Sequence, residues 1–568
     1  MGLMNTETTL RISRDLAASR RTMVAAKHPL AVKAGLDILD AGGNAIDAAV
    51  AVSFAIGVVE PWMSGVGGVG FMTIQKANGE RTVIDFFGRA PMAATADMYE
   101  MTEGAANTVV GFGGVKDEAN AYGPLSTVVP GMVGGMAYAL ERYGTKEIGE
   151  VVAAAADYAE QGFPVNWYNG MLLSSQQQTL RRDPESERIF LENGVPPAPL
   201  FGKASPVIRQ PDLARTLRLI GERGSDGFYR GEIAERIAEH IQKLGGVMTS
   251  EDLGKYEPVE VEPLVLQYRD HELVLIPNQG GGITIGEAFN ILDGFDLLGS
   301  GHNSATSLHL ISEASRRGYA DRFAYVGDPD FVDTDYGVLA SKEYAAKRRA
   351  QIDVRRASTP GPGEGVTRSG MAAREAVTQT DGGCTTHFSV VDAEGNMVSV
   401  TQTLTLIFGS VVTVPGVGVL MNDTMNLFDP VPGKANSIAP WKRPASSMAH
   451  VIAVKDGQPV LAVGAPGGRR IMDTCMQMAL NVIDYGMDIQ SACAAPLIDC
   501  SGPELLIDDR VDPKTRHELR EMGHEVVEGE VSFSPRVFAS PTGVQVDPST
   551  GIRYGGADPF GSGIAAGR

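Results

Sequence analysis

The spacing of apolar residues predicts helices over much of the first two thirds of the chain. From His28 to Leu39 the apolar side chains recur at helical spacing, which is typical of a helix with one buried face. Residues Ala45 to Val58 are apolar on nearly every face, so this second helix is predicted to lie inside a large core. Helical patterns also cover residues 130–160, 210–245 and 283–325.

Alternating apolar and polar positions predict strands, and they dominate after residue 384. Alternation runs from Thr385 to Val391, stops at five turn-forming residues, and resumes from Met397 to Thr403. This pattern predicts a β-hairpin. If Val391 faces Met397, counting back along both strands places Thr385 opposite Thr403 on one face. Cross-strand threonine pairs are ordinary sheet stabilisers, so the pattern alone favours a structural role.

The position of Thr385 changes that interpretation. Residues 351–384 are rich in glycine, proline and polar side chains, which predicts a linker or mobile loop that ends where the strand begins. A cut before Thr385 would leave an α-amine with a pKa near ~8 beside the hydroxyl of the same residue. Such an amine can act as the base for its own nucleophile. Residues 1–22 are polar and basic and are predicted to form a loose arm, which leaves 23–384 and 385–568 as the two parts of the molecule.

Composition and charge narrow the class of protein. The chain has 568 residues, 43% of them hydrophobic, and a formal net charge of −20. This composition indicates a globular protein, and the acidity argues against nucleic acid or an anionic membrane as the main partner. The N-terminus lacks the apolar stretch of a secretory signal, so we expect a cytoplasmic protein. Four scattered cysteines predict neither a disulfide framework nor a zinc site, and no metal or cofactor is expected.

The glycine-rich run Gly65–Gly70 matches a dinucleotide-binding fingerprint in spacing only. That fingerprint must follow a strand and open a helix. Here a predicted helix precedes the run and the strand-like residues Phe71–Ile74 follow it. The glycines are therefore predicted to allow a helix and a strand to pack closely.

Several motifs together resemble the γ-glutamyltranspeptidase (glutathione hydrolase) family of N-terminal-nucleophile hydrolases. The resemblance extends over nearly the whole chain. The motifs that carry it are the Thr-Thr-His-Phe-Ser-Val-Val-Asp run from Thr385, Asp37–Val50, Gly65–Gly70, Val129–Gly131, Gly245–Gly246 with Glu251–Leu253, Tyr319–Arg322, Gly327–Asp330, Lys442–Met448, Gly464–Gly468 and Gly555–Pro559.

The resemblance implies an α/β (α+β) fold, a four-layer αββα sandwich. It also implies a precursor that cleaves itself between Cys384 and Thr385 and remains together as a heterodimer of its two fragments. Thr385 would be the nucleophile and, through its α-amine, the general base, and Thr403 would hydrogen-bond to it. The backbone N–H groups of Gly467 and Gly468 would form the oxyanion hole, where the absence of a side chain allows close approach.

The substrate-binding positions depart from the family pattern. The position of the arginine that binds the glutamyl carboxylate is Phe87 here. Arg89 lies two residues later, so on a strand it shares the face of Phe87, and it supplies either a displaced cation or a solvated side chain. The position of the aspartate that binds the amine is Leu427. The other candidate substrate-binding residues are Thr405 and Thr424, which differ from the family's Asn and Gln/Glu, and Ser446 and Ser447, which are retained.

The resemblance implies a self-processing amidohydrolase or acyltransferase for a small-molecule amide, and these departures predict that the acyl group lacks an α-amino group. Loss of two charge-assisted contacts of about 1.5–3 kcal/mol each amounts to roughly a hundredfold or more in discrimination. Two alternatives stay open. One is an ordinary γ-glutamyltransferase that binds the glutamyl group through Arg89, Ser446 and Ser447 in a shifted position. The other is an unprocessed, catalytically silent binding protein.

Overall fold

The computed structural model describes residues 12–102, 112–367, 384–531 and 537–568. Its strands, in chain order, are β1 (Ala17–Ser19), β2 (Met23–Ala26), β3 (Val69–Gln75), β4 (Arg81–Phe86), β5 (Phe163–Pro164), β6 (Val207–Ile208), β7 (Val259–Val261), β8 (Leu264–Tyr268), β9 (His271–Leu275), β10 (Cys384–Val391), β11 (Met397–Thr405), β12 (Thr413–Val414), β13 (Val419–Leu420), β14 (Val451–Lys455), β15 (Gln458–Gly464), β16 (Ile498–Asp499), β17 (Leu505–Asp508), β18 (Val526–Gly529), β19 (Thr542–Val546), β20 (Arg553–Ala557) and β21 (Ile564–Gly567).

The helices are α1 (Pro29–Asp40), α2 (Ala45–Val59), α3 (Met132–Tyr143), α4 (Ile148–Gln161), α5 (Trp167–Ser175), α6 (Gln177–Leu180), α7 (Pro184–Phe190), α8 (Pro211–Arg223), α9 (Asp226–Tyr229), α10 (Glu232–Lys243), α11 (Ser250–Lys255), α12 (Gly282–Leu292), α13 (Leu297–Ser300), α14 (Ala305–Tyr325), α15 (Tyr336–Leu339), α16 (Lys342–Arg349), α17 (Arg470–Ile483), α18 (Ile489–Ala494) and α19 (Pro513–Glu521). Short 3₁₀ turns lie at Lys116–Glu118, Pro124–Ser126 and Thr424–Leu427.

Two seven-stranded antiparallel sheets form the centre of the molecule. Sheet A has the order β1-β20-β19-β15-β14-β9-β8, and sheet B has the order β21-β2-β10-β11-β3-β4-β7. Both sheets combine strands from before and after residue 384. The helical and strand patterns of the sequence therefore fold into one shared structure rather than into separate domains.

Helices cover the outer faces of both sheets, which gives the predicted four-layer αββα sandwich. On the outer face of sheet B, the apolar side chains of α1–α4 pack against Met72, Val398 and their neighbours. On the outer face of sheet A, α12, α14 and α17 pack in the same way. Between the sheets lies a third apolar layer that includes Met23, Val391 and Ile452. Helix α2 is buried on every face, as its continuous apolar pattern predicts, and Asn44 caps its N-terminus.

Described parts of both predicted flexible segments form hydrogen bonds with the rest of the protein. Within the predicted N-terminal arm, Ala17–Ser19 pair with β20 as an edge strand, because β20 offers open backbone groups there. The first half of the predicted mobile linker packs against the body of the protein. Its backbone N–H groups at Ser358 and Gly363 donate hydrogen bonds to buried carboxylates of α14. The remaining linker residues, 368–383, lie outside the described residues.

The glycines of the Gly65–Gly70 run lie against backbone, as predicted. The run is preceded by helix α2 and followed by β3, and Gly65 contacts Gly57 of α2. A Cβ atom on Gly68 would lie 2.6 Å from the carbonyl oxygen of Thr403. The run therefore brings the end of strand β11 against the loop between α2 and β3. The four cysteines are buried and form no disulfide.

Candidate active site

The hydroxyls of Thr385 and Thr403 meet at the open end of the β10–β11 hairpin. Pairing follows the predicted register up to Thr386 and then shifts by one residue, so Thr385 lies at a bulge rather than in a regular pair. The Thr385 hydroxyl lies 3.2 Å from Thr403 Oγ1 and donates a hydrogen bond to it. Both side chains are buried, with 5% and 3% of their surface exposed.

The Thr403 hydroxyl also reaches the peptide bond that precedes Thr385. It donates a hydrogen bond to the carbonyl oxygen of Cys384 and accepts one from the Thr405 N–H over 2.8 Å. One hydroxyl therefore contacts both the candidate nucleophile and the carbonyl group of the predicted cleavage point. A donor at this carbonyl oxygen can stabilise the negative charge that develops when the carbonyl carbon is attacked.

A small pocket opens beside Thr385. Its volume is about 290 Å³ with its mouth included. The lining combines hydroxyl groups with apolar side chains, and it contains no charged residue. The residues that line it are Thr385, Thr403, Thr405, Leu427, Ser446, Ser447, Met448, Gly468 and Ile471. Six of the predicted catalytic and substrate-binding residues besides Thr385 itself thus share one pocket.

Thr405 adopts a rare backbone conformation at the end of β11. Its φ is 95°, a region that β-branched residues seldom occupy. Two hydrogen bonds hold it there: its N–H donates to Thr403, and its hydroxyl bonds to that of Thr424 over 2.8 Å. Thr424 itself is buried and does not line the pocket. Strained residues of this kind cluster at functional sites, because the surrounding structure must hold them in place.

The glycine pair before helix α17 has backbone angles that favour glycine. Gly467 has φ 148° and Gly468 has φ 62°. A Cβ atom on Gly467 would lie 2.6 Å from that of Ala539, so the close packing there also requires glycine. Gly468 lines the pocket with Thr385, and Gly467 is its neighbour in the chain.

A buried ion-pair network holds the segment that carries Ser446 and Ser447. The guanidinium group of Arg443 bridges the carboxylates of Asp85 and Asp328, with N–O distances of 3.0 and 2.7 Å. Asp85 also accepts a hydrogen bond from Gln279, whose carbonyl oxygen accepts the Ser446 N–H. Two separate motifs of the family resemblance, Gly327–Asp330 and Lys442–Met448, therefore meet here, and together with Asp85 they position one wall of the pocket.

A chain of buried polar side chains crosses between the two sheets behind the nucleophile. His450, directly before strand β14 of sheet A, hydrogen-bonds to Thr73 and Thr401 in sheet B, and His387 bonds to the same Thr401. Burial lowers the pKa of His450 to about 3 and lowers the pKa of His387 as well. Both rings are therefore neutral at physiological pH, and the chain fixes the sheets relative to each other.

Besides Thr424, two further predicted substrate-binding residues lie away from the pocket lining. Phe87 is fully buried and stacks on Phe71, with ring centroids 5.2 Å apart. Arg89 is neither a cation in the pocket nor a solvated side chain. Its guanidinium donates to the Trp441 carbonyl over 3.0 Å and lies 3.7 Å from the carboxylate of Asp330. The prediction that Arg89 shares a strand face with Phe87 is also wrong, because β4 ends at Phe86.

Asp423 is a buried carboxyl group that the motif comparison did not single out. Its Oδ1 accepts the Leu406 N–H over 2.8 Å, while its Oδ2 is buried without a hydrogen-bond partner among the described residues. Burial raises the pKa of Asp423 well above its usual range. Its neighbour Asn422 bridges the backbone of Gly67 and Val128. In the sequence, these backbone contacts of Asn422 and Asp423 are indicated only by an Asn-Asp pair that follows a short strand.

The described residues contain no cluster of three or more His, Cys, Asp or Glu side chains arranged to hold a metal ion. No helix in the described ranges combines the length and the apolar character that a bilayer span requires.

Comparison with known proteins shows to which family the chain belongs. The family described as gamma-glutamyltranspeptidase matches residues 31–568. A glutathione hydrolase proenzyme from Pseudomonas sp. (strain A14) is 41% identical over 85% of this chain and 81% of that protein. The acylase ACY 1 proenzyme from Pseudomonas sp. (strain SE83) is 36% identical over 94% of this chain and 91% of that protein.

A solved structure leads to the same family. The cephalosporin acylase from Bacillus halodurans superimposes with a TM-score of 0.85 and 30% identity, over 100% of this chain and 99% of that one. The family match, the two proenzyme relatives and the shared sandwich are mutually consistent. The chain therefore belongs to the γ-glutamyltranspeptidase family of amide-cleaving N-terminal-nucleophile hydrolases.

Proposed function

We propose that this protein is a self-processing N-terminal-threonine amidohydrolase that cleaves an amide through an acyl-Thr385 intermediate, with an acyl group other than γ-glutamyl. The observation that carries the proposal is the position of the Thr403 hydroxyl between the Thr385 hydroxyl and the Cys384 carbonyl oxygen. This arrangement suits an attack of Thr385 on its own preceding peptide bond. Relatives named as proenzymes support a processed product.

Self-processing then takes two steps. The Thr385 hydroxyl attacks the carbonyl carbon of Cys384, and its proton passes to the departing nitrogen of Thr385. The C–N bond breaks, which leaves an ester between Cys384 and Thr385 Oγ1 and a new α-amine on Thr385. Water hydrolyses the ester and releases two fragments. Thr403 stabilises the charge on the Cys384 carbonyl oxygen during the attack.

The mature enzyme uses the same atoms on an external amide. The α-amine of Thr385 accepts the proton of the hydroxyl, which attacks the substrate carbonyl carbon. Backbone N–H groups of Gly467 and Gly468 bind the oxyanion, and the protonated α-amine gives its proton to the leaving amine. Water then attacks the acyl-Thr385 ester and regenerates the hydroxyl. An amine in place of water would give transfer instead of hydrolysis.

The apolar side of the pocket supports an acyl group without an α-ammonium. Leu427 contributes an alkyl side chain to the lining. Burying an ammonium without a carboxylate or another acceptor is costly. The relatives named acylase ACY 1 and cephalosporin acylase support an amide other than that of glutathione.

An ordinary γ-glutamyltransferase is the second candidate. Its support is the relative named glutathione hydrolase proenzyme and the presence of Ser446 and Ser447 in the lining. A catalytically silent protein is the third, and it requires that the chain stay intact.

One set of experiments separates these candidates. Denaturing electrophoresis and mass spectrometry of the purified protein should find a fragment that begins at Thr385, and Thr385→Ala should leave one chain. The kcat/KM of the processed enzyme should be higher for a glutaryl anilide than for the matching γ-glutamyl anilide. A single band would favour the silent protein, and preference for the γ-glutamyl anilide would favour the transferase.

A further inference from the structure

A second cavity adjoins the Thr385 pocket. Leu427 and Ser447 line both the cavity and the Thr385 pocket, so the two are adjacent. The cavity measures about 530 Å³ with its open mouth included. Its lining residues are Phe112, Arg322, Phe323, Val326, Leu427, Asp429, Lys434, Ala435, Asn436, Ala445, Ser447 and Arg469.

The charges in this cavity are predominantly positive. Arg322, Lys434 and Arg469 line it, and Asp429 is the single acidic residue in the lining as far as the structure describes it. Arg322 and Arg469 are 8% and 1% exposed, so both are buried residues of the lining. Lys434 lies on an outer loop. The Thr385 pocket has no charged residue in its lining, so the charge lies beyond Leu427 rather than beside the nucleophile.

Arg322 has no carboxylate partner within the described part of the chain. Its guanidinium donates instead to the carbonyl oxygens of Ser446, over 2.8 Å, and Gly280, over 3.3 Å. Burial and the nearby charge of Arg469 lower the pKa of Arg322 to about 10, so it is still a cation at neutral pH. A buried cation held only by neutral carbonyl groups is a favourable place for an anion, because the anion compensates the desolvated charge.

Arg469 connects this cavity to the candidate oxyanion site. It follows Gly468 directly and precedes helix α17. Its carbonyl oxygen accepts a hydrogen bond from Tyr319, and its guanidinium lies 5.7 Å from the centre of the Phe323 ring. The backbone that would bind the substrate carbonyl and the side chain that faces the cavity thus belong to adjacent residues.

We propose that Arg469, with Arg322 behind it and Lys434 at the mouth, forms an anion-binding subsite that holds a carboxylate at the far end of the acyl group. The acyl chain extends from Thr385 past Leu427 and Ser447, and the phenylalanine side chains of the cavity contact its methylene groups. The substrate class is therefore the amide of a dicarboxylic acid whose second carboxylate is free. This inference rests on the proposed function, since it takes an acyl-Thr385 intermediate as given. It gives Arg469 the carboxylate-binding role that the sequence left open for Arg89.

The test measures kcat/KM for matched anilides on the processed enzyme. Succinyl and glutaryl monoanilides are compared with the same compounds carrying a terminal carboxamide in place of the carboxylate, which have the same length and nearly the same shape. We expect the carboxylate compound of the better-fitting length to react about 10- to 100-fold faster than its carboxamide, which corresponds to one or two charge-assisted hydrogen bonds. Equal rates for carboxylate and carboxamide at both lengths would overturn the subsite.

Variants then assign the effect to Arg469. Arg469→Gln should remove most of the preference for the carboxylate while hydrolysis of the carboxamide anilide continues. Arg470→Gln is the matched control, because Arg470 is the next residue in the chain and does not line the cavity, and it should keep the preference. If Arg469→Gln fails to fold, Lys434→Gln on the outer loop should still reduce the preference, by a smaller factor. An unchanged preference for the carboxylate in the soluble Arg469→Gln variant would refute the proposed role of Arg469. If only Lys434→Gln can be tested, an unchanged preference in that variant would refute the subsite.

The carboxamide anilide separates this inference from the proposed function. If the enzyme hydrolyses the carboxylate and carboxamide anilides at equal rates, the proposed amidohydrolase function stands and only the anion-binding subsite is refuted. Absence of hydrolysis of every anilide by a correctly cleaved protein refutes the proposed function.

Discussion

Thr403 uses one hydroxyl group for three hydrogen bonds, and its partners fix the direction of each. The Thr405 N–H can only donate and the Cys384 carbonyl oxygen can only accept, so the single hydrogen of Thr403 goes to Cys384. The Thr385 hydroxyl must therefore donate to Thr403. In the uncleaved chain this arrangement orients a lone pair of Thr385 away from Thr403 and polarises the carbonyl group that Thr385 is proposed to attack.

Thr403→Val should slow both self-cleavage and turnover. Valine keeps the shape and the strand preference of threonine but has no hydroxyl, so Thr385 loses its acceptor and Cys384 loses its donor. We expect each rate to fall by about tenfold or more, the effect of about 1.4 kcal/mol on a barrier. Time courses of fragment appearance and anilide hydrolysis measure the two rates.

The control for that change is Thr403→Ser, which restores the hydroxyl and should recover most of both rates. Equal rates in the valine variant and the parent would show that Thr403 only fills space in the strand.

Asp423 makes the free energy of unfolding depend on pH. Because burial raises its pKa in the folded state, the folded protein keeps a proton that the unfolded chain releases above pH ~4. Its contribution to the free energy of unfolding is therefore largest at low pH and decreases as pH rises toward the folded-state pKa. Asparagine does not titrate and can still accept the Leu406 N–H.

Asp423→Asn should consequently be more stable than the parent at neutral pH. The difference between the two melting temperatures should be small at pH 4 and should increase at pH 7 and 8. Thermal unfolding of both proteins across this range is the measurement. A difference that stays constant or decreases with pH would mean that Asp423 is ionised in the folded protein.

At the scale of single elements, the sequence predicted the secondary structure better than it predicted where individual side chains lie. The β10–β11 hairpin, its five-residue turn and the fully buried helix α2 follow from local patterns, and all are confirmed. The bulge at Thr385 and the φ of Thr405 were not predicted, because they depend on contacts with distant loops.

The same reason explains the error on Arg89. A count of two along a strand predicts a shared face only while the strand continues, and β4 ends before Phe87. The basic cavity joins a helix, an outer loop and the residue after a glycine pair. No local pattern places these three segments together, so only the folded chain brings their charges to one point.

The glycine run before β3 offers a test of how the hairpin end is supported. A Cβ on Gly68 would lie 2.6 Å from the Thr403 carbonyl oxygen, whereas one on Gly65 would lie 3.6 Å from its nearest neighbour, an ordinary contact. Gly68→Ala should therefore displace the end of β11 and destabilise the protein by about 1–3 kcal/mol. Self-cleavage should slow with it.

Gly65→Ala is the matched control in the same run and should leave the melting temperature and the cleavage rate close to those of the parent. Equal effects of the two substitutions would argue that the run contributes only flexibility.

For the whole molecule, cleavage before Thr385 would cut the chain but leave both sheets intact. Five strand pairs join the two fragments: β1–β20, β2–β10, β2–β21, β3–β11 and β9–β14. The apolar layer between the sheets also draws on both sides, with Met23 and Val274 from one fragment and Val391 and Ile452 from the other. The association therefore depends on backbone hydrogen bonds and apolar burial.

We therefore predict that the processed fragments co-elute as one particle in gel filtration, in 1 M NaCl as well as at low salt. Salt at that concentration screens charges beyond about 3 Å but leaves apolar contacts in place. Urea should separate the fragments in the same concentration range in which helical circular dichroism is lost, because neither fragment can complete a sheet alone. A large fragment that elutes separately while its helical signal persists would contradict this. It would mean that the sandwich is two domains joined by a cleavable linker, rather than one fold made from both sides of the cut.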